Sequence, residues 1–364
     1  MGKFQVCVYA ISKNEEQFVD RWMDAVQEAD AVVVVDTGST DATVAKLRAR
    51  GATVYEETIS PWRFDTARNT ALDRTPQDCD ICVSNDLDEV FEPGWRAELE
   101  KSWGANTTRV RYRFIWDHHS DGSIKTEFPM EKIHHRRGFR WIKPVHEILE
   151  FTGPQPETVS TAAGIVLHHY PDAAKTRSQY LPLLELSAKE NPDDGQTNFW
   201  LGREYVFNDR FDEAIDTLLH HLSLSGEWGV ERSVSMCLIA RCWEAKGEPI
   251  QAQNWLHRAI AERPDIREPY HRLSLLSYAT HDWLLALWAI EKMLTITDPK
   301  PSGYLSDPAC WSTDPYDIGS IAAYWLGLYE KSYKYAETAL SMKPDDERLA
   351  TNLKFAADKL AQRR

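Results

Sequence analysis

Ala31-Val32-Val33-Val34-Val35-Asp36-Thr37-Gly38-Ser39-Thr40-Asp41 decides how the first half of the chain reads. Residues 31–35 are an unbroken apolar run. Such a run suits an interior parallel strand covered on both faces. Gly38-Ser39-Thr40-Asp41 is a turn and a helix cap, and the helix it opens closes at Gly51. The pattern repeats outward from there. Residues 4–11 read as a buried strand. Asn14 is a good N-cap, and Phe18, Val19, Trp22, Met23 and Val26 then recur at helical spacing. Residues 53–55 read as a strand, 65–73 as a helix and 81–84 as a strand. This alternation predicts an α/β domain with a mostly parallel sheet. Beyond residue 105 the pattern changes to hairpins: 109–116, 124–128 and 131–136 read as strands, with Asp121-Gly122 as one turn. Residues 165–169 are the last strand-like run.

The second half has no strand pattern but an internal repeat. Small and aromatic residues recur as in the 34-residue tetratricopeptide unit, where they let two antiparallel helices pack. Leu201-Gly202, Tyr205 and Ala214 fit one unit, and Trp243, Ala252, Leu256, Ala259 and Pro264 the next. Tyr270, Leu273, Ala286 and Ile290 fit a third. Gly327, Ser332, Ala336, Ala339 and Pro344 fit a fourth, after an irregular insert around 298–315. Residues 176–192 and 345–361 read as flanking helices that cap the stack. The expected domains are 1–172 and 173–364, with the boundary near 172–176. The bland alternative for the tail is an unrelated helical bundle.

Composition narrows the classes. The 364 residues carry a net charge of −14, which argues against general nucleic-acid binding, because phosphates demand a basic face. Six cysteines are too few for a disulfide scaffold. No apolar run reaches the ~18 residues of a membrane span, and the N-terminus lacks a signal-peptide layout. A cytoplasmic protein is expected.

Three stretches carry candidate chemistry. Val83-Ser84-Asn85-Asp86-Leu87-Asp88-Glu89 places two carboxylates just beyond a strand end, where open α/β sheets bind ligands. Such a pair suits Mg²⁺ or Mn²⁺ held against a diphosphate; the plain reading is a solvated acidic turn. Asp36, followed by its Gly/Ser turn, suits a base or ribose, or is an ordinary βα turn. Arg68, in Phe64-Asp65-Thr66-Ala67-Arg68-Asn69, suits phosphate or a base edge, or is a helix-surface cation. Residues 109–143 hold nine basic and four acidic side chains. Within them, His134-His135-Arg136-Arg137-Gly138-Phe139-Arg140-Trp141 offers Arg forks that match phosphate geometry and suit a diphosphate or the acceptor; the alternative is a solvated β-ribbon. Four His-His pairs (118–119, 134–135, 168–169, 220–221) lack zinc-type spacing and read as mostly incidental. Cys79-x-x-Cys82 has no second pair, which argues against zinc. Trp62 and Trp116 are candidates for stacking on sugar, with core packing favoured.

Ile11-Ser12-Lys13-Asn14-Glu15-Glu16, the run 34–43, Ala67-Arg68-Asn69 and Asp86-Leu87-Asp88-Glu89 together resemble family 2 nucleotide-sugar glycosyltransferases of the GT-A fold, a Rossmann-like α/β architecture. The resemblance is strong from residue 4 to about 95 and weaker over 96–170. Val145-His146-Glu147 and Leu167-His168-His169-Tyr170 resemble later motifs of the lipopolysaccharide-core glucosyltransferase branch. The tail is similar to that of sublancin-type S-glycosyltransferases. The first domain, at 172 residues, is short for GT-A, so acceptor-side elements are trimmed or supplied by the repeats. The resemblance implies that Ala10, Ile11 and Asp36 line the nucleoside pocket and that Arg68 reaches the base or diphosphate. Asp86 would face the ribose or sugar, and Asp88 would bind the metal, Mn²⁺ or Mg²⁺. Arg137 is the candidate diphosphate contact from the basic block, and His168 a further metal ligand.

Inversion through a single displacement, also implied by the family, needs a base. Glu147 is the candidate, as a lone carboxylate beside His146 in a partly apolar strand, with His146 next in line. The alternatives are an ion pair for Glu147 and a packed strand-end histidine for His168. The expected activity is hexosyl transfer from a nucleotide sugar, a UDP-sugar by family frequency, to a peptide or protein side chain held by the repeats. A lipopolysaccharide or other glycan acceptor, a modified DNA base, and a non-catalytic repeat scaffold are the rival readings.

Overall fold

The structure, a computed structural model, describes residues 3–119, 121–172, 180–224, 226 and 228–362. The chain separates into two compact units that divide between Ser187 and Ala188. Most of the expected boundary region at 172–176 lies outside the described residues.

The first unit runs β1 (Val6–Ser12), α1 (Val19–Val26), β2 (Ala31–Asp36), α2 (Thr43–Ala49), β3 (Thr53–Glu56), α3 (Phe64–Asp73), β4 (Ile81–Ser84), β5 (Glu89–Phe91), α4 (Trp95–Ser102), β6 (Arg109–His118), β7 (Ile124–His135), β8 (Phe139–Ile142), β9 (Ile148–Phe151) and β10 (Val159–His169). The helix α5 (Tyr180–Glu190) follows. Eight strands form one sheet in the order β3-β2-β1-β4-β7-β6-β10-β5, and β8 and β9 form a separate hairpin. The four strands β3 to β4 are parallel, as the alternation predicts. The other half is mixed, because β7 runs antiparallel to both β4 and β6, and β5 antiparallel to β10.

The continuous apolar runs follow from burial on both faces. Val6, Val8 and Ala10 enter one core with Trp22, Val34, Leu47 and Val83. Their neighbours Cys7 and Tyr9 enter a second core with Val33, Val35, Ala71 and Leu72. Each fully buried aliphatic or aromatic side chain contributes about 1.5–3 kcal/mol.

Two local expectations change, and one short strand is added. The runs expected at 124–128 and 131–136 merge into one strand, β7, which ends at His135 and pairs with β6 on either side of the Asp121-Gly122 turn. Glu89–Phe91 is a strand of only three residues, below what a periodicity can reveal. Asn14 is not a helix cap. It sits at φ 54°, its Oδ1 accepts from Thr40 N at 2.8 Å, and its own N–H donates to Ser39 Oγ at 2.8 Å. It thereby ties the end of β1 to the turn after β2.

The second unit is helical: α6 (Gly195–Phe207), α7 (Phe211–Ser223), α8 (Gly229–Ala245), α9 (Pro249–Glu262), α10 (Glu268–Ala279), α11 (Trp283–Leu294), α12 (Asp314–Trp325), α13 (Tyr329–Met342) and α14 (Glu347–Ala361). Each pair α6/α7, α8/α9, α10/α11 and α12/α13 is joined by a three-residue loop and packs together. This is the expected tetratricopeptide-like arrangement. Gly202 shows why the motif wants glycine: a Cβ there would lie 2.5 Å from the Leu218 side chain of the partner helix. The insert between α11 and α12 holds two 3₁₀ segments, Lys300–Leu305 and Pro308–Trp311. Among the described residues no helix is long and apolar enough to cross a membrane.

Candidate active site

The strand β4 ends at Ser84, and the chain turns through Asn85-Asp86-Leu87-Asp88 before Glu89 opens β5. Buried polar groups brace this turn. Asn85 accepts from Trp22 Nε1 at 2.7 Å, and Glu89 Oε2 accepts from Asp86 N at 3.0 Å.

The centre of the site is Arg68, buried on α3. Its Nη1 and Nη2 donate to the two oxygens of Asp86 at 2.6 and 2.9 Å, and its Nε donates to Glu147 Oε1 at 2.5 Å. Its guanidinium lies 5.1 Å from the centre of the Trp141 ring. One rigid fork therefore sets the directions of two carboxylates drawn from distant parts of the chain. Lys132, on β7, extends the chain of charges. Its Nζ lies 2.8 Å from Glu89 Oε1 and 3.5 Å from Asp86 Oδ2. Burial alone would raise the Asp86 carboxyl, but Arg68 and Lys132 outweigh it and hold Asp86 well below the usual carboxylate range. Glu89 goes the other way. Burial and the neighbouring Asp86 raise it despite Lys132. Burial likewise works against a charged Lys132, yet Glu89 and Asp86 leave its ammonium above its ordinary value.

Asp88 faces a different partner. Its Oδ2 lies 3.6 Å from His169 Nε2. His169 donates through Nδ1 to Trp116 O at 3.2 Å and stacks on the Trp116 ring at 4.4 Å. That backbone bond fixes the tautomer and turns Nε2 toward Asp88. Burial opposes protonation of His169, but the Asp88 carboxylate more than compensates and raises its pKa. A carboxylate and an imidazole held by its second nitrogen are a donor set that fits a divalent cation.

The other expected residues divide. Asp36 closes its own turn: Oδ1 accepts from Gly38 N and Ser39 N at 3.1 and 2.8 Å, and Oδ2 from Ser12 Oγ and Ser39 Oγ at 2.9 and 2.5 Å. Gly38 takes φ 107°, which an L side chain rarely adopts. Ala10 points into the core beneath the sheet, and Ile11 packs half-buried against the opposite core. His168 turns to other partners than Asp88. Its Nδ1 lies 3.0 Å from His118 Nε2 and its Nε2 3.0 Å from Glu92 Oε1. Adjacent strand residues face opposite ways, so His169 takes the place expected of His168. Arg137 falls at the wrong end of the sheet. His135 pairs with Ile81, the first residue of β4, and Arg137 lies further still from the Asp86 end. His146 and Glu147 precede β9 rather than lying in a strand. His146 is exposed at φ 50°, with its ring 5.7 Å from that of Tyr180.

The basic block is largely a ladder of pairs across β6 and β7, including Arg111–Glu131, Arg113–Glu127 and Lys125–Asp117. Lys132 is its one member in the carboxylate cluster described above. The net charge of the block was its only signal. The His-His pairs are not all incidental, since His134 is a core residue and His169 a site residue. Trp62 packs edge-on against Phe64, whereas Trp116 is 43% exposed over His169.

Residues 7–147 match the family model described as glycosyl transferase family 2. The parallel half-sheet and its strand-end carboxylates lie within that stretch, so the first unit carries a family 2 glycosyltransferase domain. The protein is accordingly a glycosyltransferase. No curated protein matches the chain. Solved structures similar to it include MamA, at 20% identity and TM-score 0.38, covering 49% of this chain and 99% of that one. YrrB, a TPR protein with an unusual peptide-binding site, is similar at 17% identity and TM-score 0.35, covering 48% and 81%. The Cut9–Hcn1 hetero-tetramer of APC/C is similar at 13% identity and TM-score 0.38, covering 50% and 33%.

Proposed function

We propose that the protein is a metal-dependent, inverting glycosyltransferase that moves a hexose from a nucleotide sugar, a UDP-sugar, to a peptide or protein side chain in the cytoplasm. Residues 1–172 would carry the chemistry and 173–364 would hold the acceptor. The observation that carries this reading is the strand-end pairing of Asp88 with His169 beside the Asp86–Arg68–Glu147 fork.

Asp88 and His169 are the residues that would hold Mn²⁺ or Mg²⁺, and the imidazole favours Mn²⁺. Such an ion offsets the charge that develops on a leaving diphosphate. The chain's own groups do the rest. Arg68 fixes Asp86 toward the donor. Asp36 shapes the nucleoside side by locking the Gly38-Ser39 turn. Glu147, aimed by Arg68 Nε, takes the proton of the acceptor hydroxyl as the new bond to the sugar forms. Helical repeats stack into extended surfaces that suit a polypeptide, whose remote binding energy can position the reacting group.

The test is hydrolysis of a panel of sugar nucleotides with Mn²⁺ and with chelator. Hydrolysis of one donor, dependent on Mn²⁺, lost in Asp88→Ala and retained in His168→Ala, is the expected result. Equal rates with and without metal would remove the metal from the reading.

A further inference from the structure

The helical unit holds a second set of metal-type ligands, none of them a residue used above. Among the described residues, three His, Cys, Asp or Glu ligand atoms come together at His271, Asp307 and Cys310, all within 4.8 Å of one another. His271 lies on α10 and is 3% exposed, and neither of its ring nitrogens has a hydrogen-bond partner. An imidazole buried with both nitrogens unanswered is rare, because each loses its water without replacement. Cys310 is completely buried in the second 3₁₀ segment of the insert. Asp307 caps that segment, accepting from Ala309 N through Oδ1 at 2.9 Å.

The frame around these three is built. Arg267, Glu268 and His271 fall on one face at the start of α10, at spacings of three and four. Arg267 donates from Nη1 to Cys310 O at 2.9 Å and from Nε to Ile296 O at 2.8 Å, and its guanidinium sits 3.6 Å from the Trp311 ring centre. Glu268 accepts from Ser302 Oγ at 2.8 Å and from Asp307 N at 3.0 Å. The insert is thus held on both sides of His271, and both insert ligands are carried to it.

We propose that His271, Asp307 and Cys310 bind Zn²⁺ and so clasp the 298–313 insert to α10. Thiolate and imidazole select zinc over Mg²⁺ or Ca²⁺, which take oxygen donors. Zinc bonds of ~2.0–2.3 Å place tetrahedral ligands ~3.3–3.8 Å apart. The three side chains therefore close on the ion by about 1 Å. Cys310 releases its thiol proton to solvent on binding, and the fourth position is left to water or an exogenous ligand. This site is independent of the Asp88 metal and of the reaction proposed above.

The probes are Zn²⁺ and Co²⁺ added to the full-length protein after chelator treatment. One equivalent of Co²⁺ is expected to give a thiolate-to-cobalt charge-transfer band with tetrahedral d–d absorption, displaced by Zn²⁺. Zn²⁺ is expected to raise the melting temperature. Cys310→Ser should abolish the charge-transfer band, His271→Ala should weaken Co²⁺ binding at least tenfold, and Asp88→Ala should leave both intact. If His271→Ala does not fold, Cys310→Ser and Asp307→Asn decide the matter alone. A folded wild type without the band, or a band unchanged in Cys310→Ser, overturns the proposal.

Discussion

Two of the buried histidines, His134 in the first unit and His271 in the second, are opposites. His134 in the first unit is completely buried, and both nitrogens are answered. The Tyr9 hydroxyl lies 2.9 Å from Nε2, His135 O lies 2.8 Å from Nδ1, and Trp141 Nε1 donates to the same Tyr9 oxygen at 2.9 Å. His271 in the second unit is almost as buried, and neither nitrogen is answered. His169 stands between them, with Nδ1 held by a carbonyl and Nε2 turned to a carboxylate. Burial by itself therefore says little about what a histidine is for. The hydrogen-bonding capacity left over after folding says more, because a closed network leaves nothing for a ligand and an open one does.

The largest test of that contrast lies among charges that answer one another. If Glu147 takes the acceptor proton, Glu147→Gln lowers turnover on a hydroxyl acceptor by ~10²–10⁴ and leaves donor affinity nearly unchanged. A thiol acceptor, partly ionised near pH 8, would lose less. Near-wild-type turnover on a hydroxyl would pass the role to His146.

Next in size is the fork itself. Arg68→Met leaves Asp86 and Glu147 without their shared cation, and breaking a buried pair from one side costs about 3–5 kcal/mol. Urea unfolding should show the midpoint fall with little change in slope. An unchanged midpoint would mean that Lys132 alone can answer Asp86.

A smaller effect comes from His134. Burial lowers its pKa from 6.5 to about 3. The unfolded chain therefore takes up this proton first as pH falls, so stability drops between about pH 6.5 and 3 by up to ~1.4 kcal/mol per pH unit from this group. Asp86, held low when folded, adds a loss of the same sign at more acid pH, since its contribution is present above its unfolded value and disappears as pH falls through the folded one. Unfolding curves between pH 7 and 4.5 should be flatter in His134→Gln than in wild type. Parallel pH dependences would show that the closed network does not hold the imidazole neutral.

The smallest effect belongs to the exposed ladder. Arg113 and Glu127 are each nearly half exposed, at 47% and 48%. Glu127→Gln should shift stability by less than about 1 kcal/mol. A larger shift in the same urea assay would make the β6–β7 ribbon more than a solvated surface.

Much of the molecule was legible in the chain because its signals are local. The apolar runs of β1, β2 and β4 need only their own residues to announce burial on both faces. The Gly38 turn and the helical-repeat residues also carry their geometry within a few positions, as Gly202 against Leu218 shows. Asp86 and Asp88 stood out beyond a strand end, and Arg68 and Glu147 within motifs that resemble those of the family.

Which of these residues meet was decided only by the tertiary structure. Strand alternation says that His168 and His169 face apart, but the pairing of β10 with β5 and β6 decides that His169 meets Asp88. The β4–β7 register brings Lys132 to the carboxylates and sends Arg137 to the far end of the sheet. His271 and Cys310 share no motif spacing and meet only because the insert folds back on α10. Contacts between residues far apart in the chain depend on register and packing, and neither is written in any local stretch.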